Sequence, residues 1–184
     1  MPKLTDHQIK QQTIAWIRTF IIYYNICPFA KHTVHHETLA IELARPDNNV
    51  EQALETMMTT LVHMDENADI ETVLLVFPDF FSNFDDYLDG VALAEELLSM
   101  SGYEGIYQLA TFHPDYCFAD VSVTDVSNYT NRSPYPMLHI LRENSIEKAL
   151  DYYGDTSQIP ENNILTMHTL GLDKVKALLK NLSS

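Results

Sequence analysis

Thr72-Val73-Leu74-Leu75-Val76-Phe77 is an unbroken run of β-branched and apolar residues that Pro78 brings to a stop. Apolar side chains at every position, rather than at every second one, mark a strand covered on both faces, and such a strand belongs to a sheet with helices packed on it. The neighbouring segments supply those helices. Upstream, Asn48 with Glu51 opens a helical stripe of Val50, Leu54, Met57 with Met58, and Leu61 with Val62. Downstream, Phe84, Tyr87 with Leu88, Val91, and Leu97 with Leu98 repeat the spacing, and Gly102 suits a left-handed C-terminal cap. Residues 106–112 then read as a second buried strand.

The outer parts of the chain complete the pattern. Thr5-Asp6-His7-Gln8 fits a capping box, followed by an apolar stripe at Ile9, Thr13, Trp16 with Ile17, Phe20 with Ile21, and Tyr24, which Pro28 ends. From residue 34 to 43 the period shifts to two, with Leu39, Ile41 and Leu43 on one face, as expected of an exposed or edge strand. Residues 137–142 read as a further strand. Residues 145–153, 160–170 and 172–179 read as helices, with Pro160 in a first turn and Gly154 and Gly171 past the ends. Residues 1–184 are thus expected to form a single α/β domain, with a central mostly parallel or mixed sheet of about four strands and helices packed on it.

Two strand ends echo one another: Val76-Phe77-Pro78-Asp79-Phe80 and Thr111-Phe112-His113-Pro114-Asp115-Tyr116. Both are expected to open at one carboxyl edge, where open α/β sheets commonly hold ligands. Residues 113–136 follow, a long segment of little periodicity with Tyr116, Phe118, Tyr129 and Tyr135 and a short strand expected at 121–123. Long segments of this kind inside a domain are usually functional or disordered, and its aromatics argue for order.

The net charge is -15, and it is unevenly placed. Between Arg45 and Arg132 there is no Lys or Arg, while 17 acids fall in that interval. Duplex nucleic acid and anionic membranes both need clustered cations, so neither is expected as a partner. The N-terminal residues lack a basic region followed by an apolar run, and no apolar stretch is long enough to span a bilayer, so the expected location is the cytoplasm. Two cysteines without a C-x-x-C spacing do not suggest a disulfide framework.

Three places carry chemistry. Cys27-Pro28 has two readings: a thiolate favoured at the start of a new helical turn with Lys31 nearby, or a small buried hydrophobe. His113, at a strand's carboxyl end, is positioned as an acid or base, or as a partner for loop carbonyls. Asn128-Tyr129-Thr130-Asn131-Arg132-Ser133-Pro134-Tyr135-Pro136, with His139 and Arg142 beyond it, packs amides, hydroxyls and guanidinium groups into a stiff segment. Arginine there suits bidentate capture of a carboxylate or phosphate, or else it balances the acidic region. His32, His35 and His36 lie just after Cys27, but on a strand His35 and His36 point to opposite faces and cannot both ligate one ion without a bulge, so no metal is assigned. Glycine-rich phosphate loops are absent, and no cofactor is expected.

Asn25-Ile26-Cys27-Pro28-Phe29-Ala30, the Thr111-to-Tyr116 string, the Asn128-to-Pro136 string and Leu138-His139-Ile140-Leu141-Arg142-Glu143 together resemble the bacterial family catalogued as domain of unknown function 1415. The resemblance covers almost the whole chain and implies a small single-domain cytoplasmic bacterial protein, without implying a reaction.

The leading expectation is a small cytoplasmic enzyme, or an enzyme-like pocket, for a small anionic metabolite. Arg132 and Arg142 would anchor the anion, His113 would act as acid or base, and Cys27 as nucleophile or pocket wall. Asn128, Asn131, Ser133, Tyr135 and His139 would line the site, and Cys27, His113 and Arg132 would converge. The alternative is a non-catalytic module that recognises a basic protein partner through its acidic surface and the aromatic loop 113–136, with Tyr129 and Tyr135 outward as anchors.

Overall fold

In the computed structural model, residues 3–47, 49–153 and 156–182 are described; the expected cap at Asn48 and helix stop at Gly154 lie outside them. The first helix, α1 (Asp6–Trp16), begins with the capping box read from the sequence. Thr5 Oγ1 accepts the Gln8 N–H at 3.3 Å, and Gln8 Oε1 accepts the Thr5 N–H at 2.9 Å. The helix then widens into a π-helical stretch (Ile17–Ile22), a form frequent beside functional sites. Past Pro28 the chain winds into α2 (Ala30–His35) before β1 (Leu39–Leu43). The strand expected from residue 34 therefore starts five residues later. Ala30 and Val34, four apart, both pack on one apolar cluster, and that spacing selects a helix.

Asn49 caps α3 (Val50–Glu66) by accepting the Glu51 N–H, and β2 (Thr72–Val76) follows. Asn83 caps α4 (Phe84–Met100) by accepting the N–H groups of Asp85 and Asp86, ahead of β3 (Tyr107–Phe112). A 3-10 turn (Val126–Thr130) leads to β4 (Met137–Arg142), then α5 (Glu143–Tyr153), α6 (Ile159–Leu170) and α7 (Leu172–Leu182). Residues 121–123, expected as a short strand, form turns and bends instead. Gly171, with φ of 78° and ψ of 154°, takes an extended positive-φ conformation open almost only to glycine, and it turns the chain between α6 and α7.

The sheet is mixed, in the order β1-β2-β4-β3. β1 and β2 pair in parallel through α3, whereas β4 is antiparallel to both β2 and β3. Of the two expected sheet types, mostly parallel or mixed, the mixed one is found. The reason is the long segment 113–136, which ends at the carboxyl edge and sends β4 back between β2 and β3. The three strands joined through helices still run the same way, so Phe77 and His113 emerge at one edge. There Phe77 donates its N–H to the Pro136 carbonyl at 2.9 Å.

Alternate residues of the inner strands serve two cores. Val73, Leu75, Leu138 and Ile140 pack with Met57, Leu61, Met64, Val91 and Leu98 of α3 and α4. Leu74, Val76 and Met137 face the other way, toward Trp16, Phe20 and Ile21 and toward Met167 and Val175 of α6 and α7. Among the described residues no helix is long and apolar enough to cross a membrane.

Candidate functional site

The second face of the sheet is not filled. Between it and the α1/π-helical segment, α2, α5 and α6 lies a cavity of about 910 Å³, near the upper end of the range for small-molecule sites. Leu74, Phe112 and Leu141 are part of its floor, and Ile17, Ile21 and Ile26 part of its wall. His32, Lys148 and Ile164, all exposed, belong to the same lining and mark its opening to solvent. Two bonds hold the frame. Tyr153 donates its hydroxyl to the Pro28 carbonyl at 3.1 Å, and Asn163 Nδ2 donates to the Ile26 carbonyl at 2.8 Å. They tie α5 and α6 to the segment that carries Cys27. Protein interiors are otherwise close-packed, so a void of this size in an apolar core asks for a functional explanation.

The floor has one polar pair. Thr72 of β2 and His139 of β4 both project on this face, with Thr72 Oγ1 2.6 Å from His139 Nε2. The Thr72 hydroxyl donates to the Ile140 carbonyl at 2.8 Å. His139 lies deep inside the fold and keeps some accessible surface because it lines the cavity. Burial alone pushes its pKa down to about 4 from an ordinary 6.5, so the ring is neutral at physiological pH.

Cys27 is also in the wall. The backbone N–H groups of Ala30 and Phe29 point at its sulfur and favour a thiolate, but desolvation is the larger effect and pushes the thiol pKa up from 9.0. It is a protonated, half-buried thiol. Trp16, the single tryptophan, stands in the wall as well. Its buried indole N–H has no hydrogen-bond partner among the described residues.

Of the nine side chains singled out from the sequence, Cys27, Asn131, His139 and Arg142 line this cavity. His113 does not. It is 1% exposed, between the rings of Phe84 and Tyr87, with Nε2 donating to the Phe81 carbonyl at 2.8 Å and Nδ1 accepting the Asp115 N–H at 3.0 Å. Burial lowers its pKa, and both ring nitrogens are committed. The Phe81 it holds has φ of 59°, a left-handed conformation rare for a bulky side chain, so His113 secures a strained turn. Arg132 donates to the carbonyls of Tyr116 at 3.0 Å and Val123 at 3.1 Å and lies over the Tyr129 ring at 4.4 Å. Cys27, His113 and Arg132 are therefore not brought together.

The other loop residues brace the loop and tie it to β3 and α1. Asn128 is wholly buried, accepting the Phe118 N–H and donating to the Ser122 carbonyl. Asn131 donates to the Thr111 carbonyl from the cavity's edge, Ser133 donates to the Tyr135 carbonyl, and Tyr135 donates to Gln12 Oε1. Tyr129 is buried and Tyr135 half-buried, so neither stands outward as an anchor. Arg142 gives hydrogen bonds to the carbonyls of Met64, Asn67 and Ile70 and to the Tyr107 hydroxyl, which fastens the end of α3 to the sheet. His32 and His35 fall on α2 rather than on a strand, and no group of His, Cys, Asp and Glu among the described residues is placed to hold a metal ion.

Thr72 and Trp16 were missed from the sequence. A signal for Thr72 existed: a histidine inside the otherwise apolar Met137-Leu138-His139-Ile140-Leu141 needs a polar partner on a neighbouring strand, and Thr72 is the one polar residue in the run that decided the fold.

No curated protein and no solved structure matches the chain. The profile of the family described as protein of unknown function (DUF1415) matches residues 8–177 of 184, and the chain belongs to that family.

Proposed function

We propose that the protein binds a small, predominantly apolar molecule in the cavity on the second face of its sheet. One observation carries this reading: about 910 Å³ lined mainly by aliphatic and aromatic side chains, with His139 and Thr72 as a polar pair on its floor. The π-helical stretch supports it, since Ile17 and Ile21 from that segment form part of the wall. An anionic metabolite held by paired arginines fits less well, because Arg132 lies outside the cavity lining and gives its Nε and Nη2 to the Tyr116 and Val123 carbonyls. Of the two cations in the wall, Arg142 gives its donors to the Met64, Asn67 and Ile70 carbonyls and the Tyr107 hydroxyl, which leaves Lys148 to suit an anionic group near the opening. A protein partner seated on loop 113–136 lacks its aromatic anchors, which face inward. Two free thiols fit a cytoplasmic setting.

Trp16 is a built-in reporter for the test. Titration with anilinonaphthalene sulfonate, an apolar dye with one anionic group, is expected to change Trp16 fluorescence saturably at one site per chain. Ala149→Phe, which places a ring into the cavity from α5, is expected to weaken binding at least tenfold while the protein remains folded. Equal dye binding by the blocked variant and the parent sinks the reading.

A further inference from the structure

The tautomer of His139 is fixed by its neighbour. A carbonyl oxygen only accepts, so at 2.8 Å from Ile140 O the single hydroxyl proton of Thr72 is used there. Thr72 Oγ1 then has only lone pairs to offer His139 Nε2 at 2.6 Å, and Nε2 must carry the ring proton. Because the ring is neutral, Nδ1 is left with a lone pair. Among the described residues nothing donates to Nδ1, although the ring lies deep in the protein and lines the cavity. Nδ1 keeps some accessible surface at the cavity, and an acceptor there, away from bulk water, is completed by a donor within the cavity.

We infer that the cavity takes a molecule whose buried end donates a hydrogen bond to His139 Nδ1, an alcohol, phenol or N–H heterocycle carried on an apolar body. The inference rests on the pocket reading above and adds the ligand class to it. An ionised carboxylate or a ketone is disfavoured at that end, because its lone pairs would meet the lone pair of Nδ1 in a dry site. Thr72 is a positioning residue for His139: with its hydroxyl proton on the Ile140 carbonyl, it sets which ring nitrogen is the acceptor.

The closing experiment compares naphthol with its methyl ether, which share an apolar body and differ in the hydroxyl proton. Trp16 fluorescence and calorimetry are expected to show naphthol binding about tenfold more tightly. In His139→Phe, which keeps a ring in place, the ratio is expected to fall to about one. Equal affinities for the two probes overturn the inference and leave the pocket reading standing. Binding of neither probe overturns the pocket reading and the inference with it. A preference that survives in His139→Phe shows that another group is the acceptor. Ring-nitrogen NMR on the unmutated protein gives an answer even if the variant does not fold. A protonated Nε2 with an Nδ1 signal that moves on adding naphthol agrees with the assignment, and a protonated Nδ1 overturns it.

Discussion

On the α3/α4 side of the sheet a methyl group has no room at Gly90, whose added Cβ would lie 2.5 Å from Phe81 Cζ. On the opposite side of the same strands a cavity of about 910 Å³ separates the floor from the helices over it. The filled side is locked by polar as well as apolar contacts. Tyr87 of α4, 1% exposed, donates to the Met137 carbonyl at 2.9 Å and accepts the Phe112 N–H at 3.1 Å, so one hydroxyl ties the helix to two strands. The open side is spanned at its rim by the Tyr153 and Asn163 bonds to the Ile26–Pro28 backbone. One sheet thus carries stability on one face and room for a ligand on the other.

The largest effect is expected from truncating neighbours in β2 that face opposite ways. Leu75→Ala on the filled face is expected to cost about 4 kcal/mol, since Leu75 is completely surrounded. Leu74→Ala is expected to cost about 2 kcal/mol, because Leu74 borders the cavity and already lacks packing partners on that side. Urea denaturation of both variants measures the difference. Equal losses would mean that the second face closes over Leu74 in solution.

Lowering the pH tests the open face next. His139 has a folded pKa of about 4 against an ordinary 6.5, so the unfolded chain takes up a proton first as the pH falls. The cost is absent above about pH 7, grows through 6.5, and levels off below about 4, where it amounts to roughly 3 kcal/mol. His113 on the other side shifts in the same direction. Both histidines act against the relief of acidic self-repulsion that lower pH brings to a chain of net charge -15, so the raw profile is mixed. The difference between the parent and His139→Phe isolates one group. Its pH dependence should have the parent losing stability faster than the variant between pH 6.5 and 4, and parallel curves would refute the buried, neutral ring.

The sequence made β2 legible because a continuous apolar run bounded by charge and proline has few other uses, β4 because a single histidine interrupts an otherwise apolar run, and the capping box at Thr5 and Gln8 because its two hydrogen bonds are local. The mixed sheet was only half legible, since the direction of β4 depends on where a 24-residue loop ends rather than on any residue within the strand. The helix stripes were read by their large residues, yet the buried positions of these helices include Ala53, Gly90 and Ala94, and at Gly90 the Phe81 ring leaves room only for a small residue. The site was least legible. A segment rich in Asn, Ser and Arg reads alike whether its donors meet a ligand or its own carbonyls, and here most meet carbonyls. His139 carried the better signal, as an imidazole within a buried strand, but alternation on a strand apolar on both faces does not say which face is open.

Adding volume separates the two faces with opposite signs. Gly90→Ala puts one methyl group into the filled side, 2.5 and 2.6 Å from ring atoms of Phe81, and that ring is itself held against Phe77, Phe80 and Tyr87. Overpacking of this kind costs about 2 kcal/mol, and the better helix propensity of alanine returns about 1, which leaves a net loss of about 1 kcal/mol. Ala149→Leu, on α5, adds three carbons to the cavity wall. With space in front of it, the larger side chain buries new apolar surface without strain, and the expected change is a gain of about 0.5 kcal/mol. The same leucine takes volume from the ligand, so it should bind anilinonaphthalene sulfonate more weakly than the parent while unfolding at a higher urea concentration. A destabilised Ala149→Leu protein would show that the wall beneath α5 is already closed against the sheet, and the contrast between the faces would then be one of composition rather than of space.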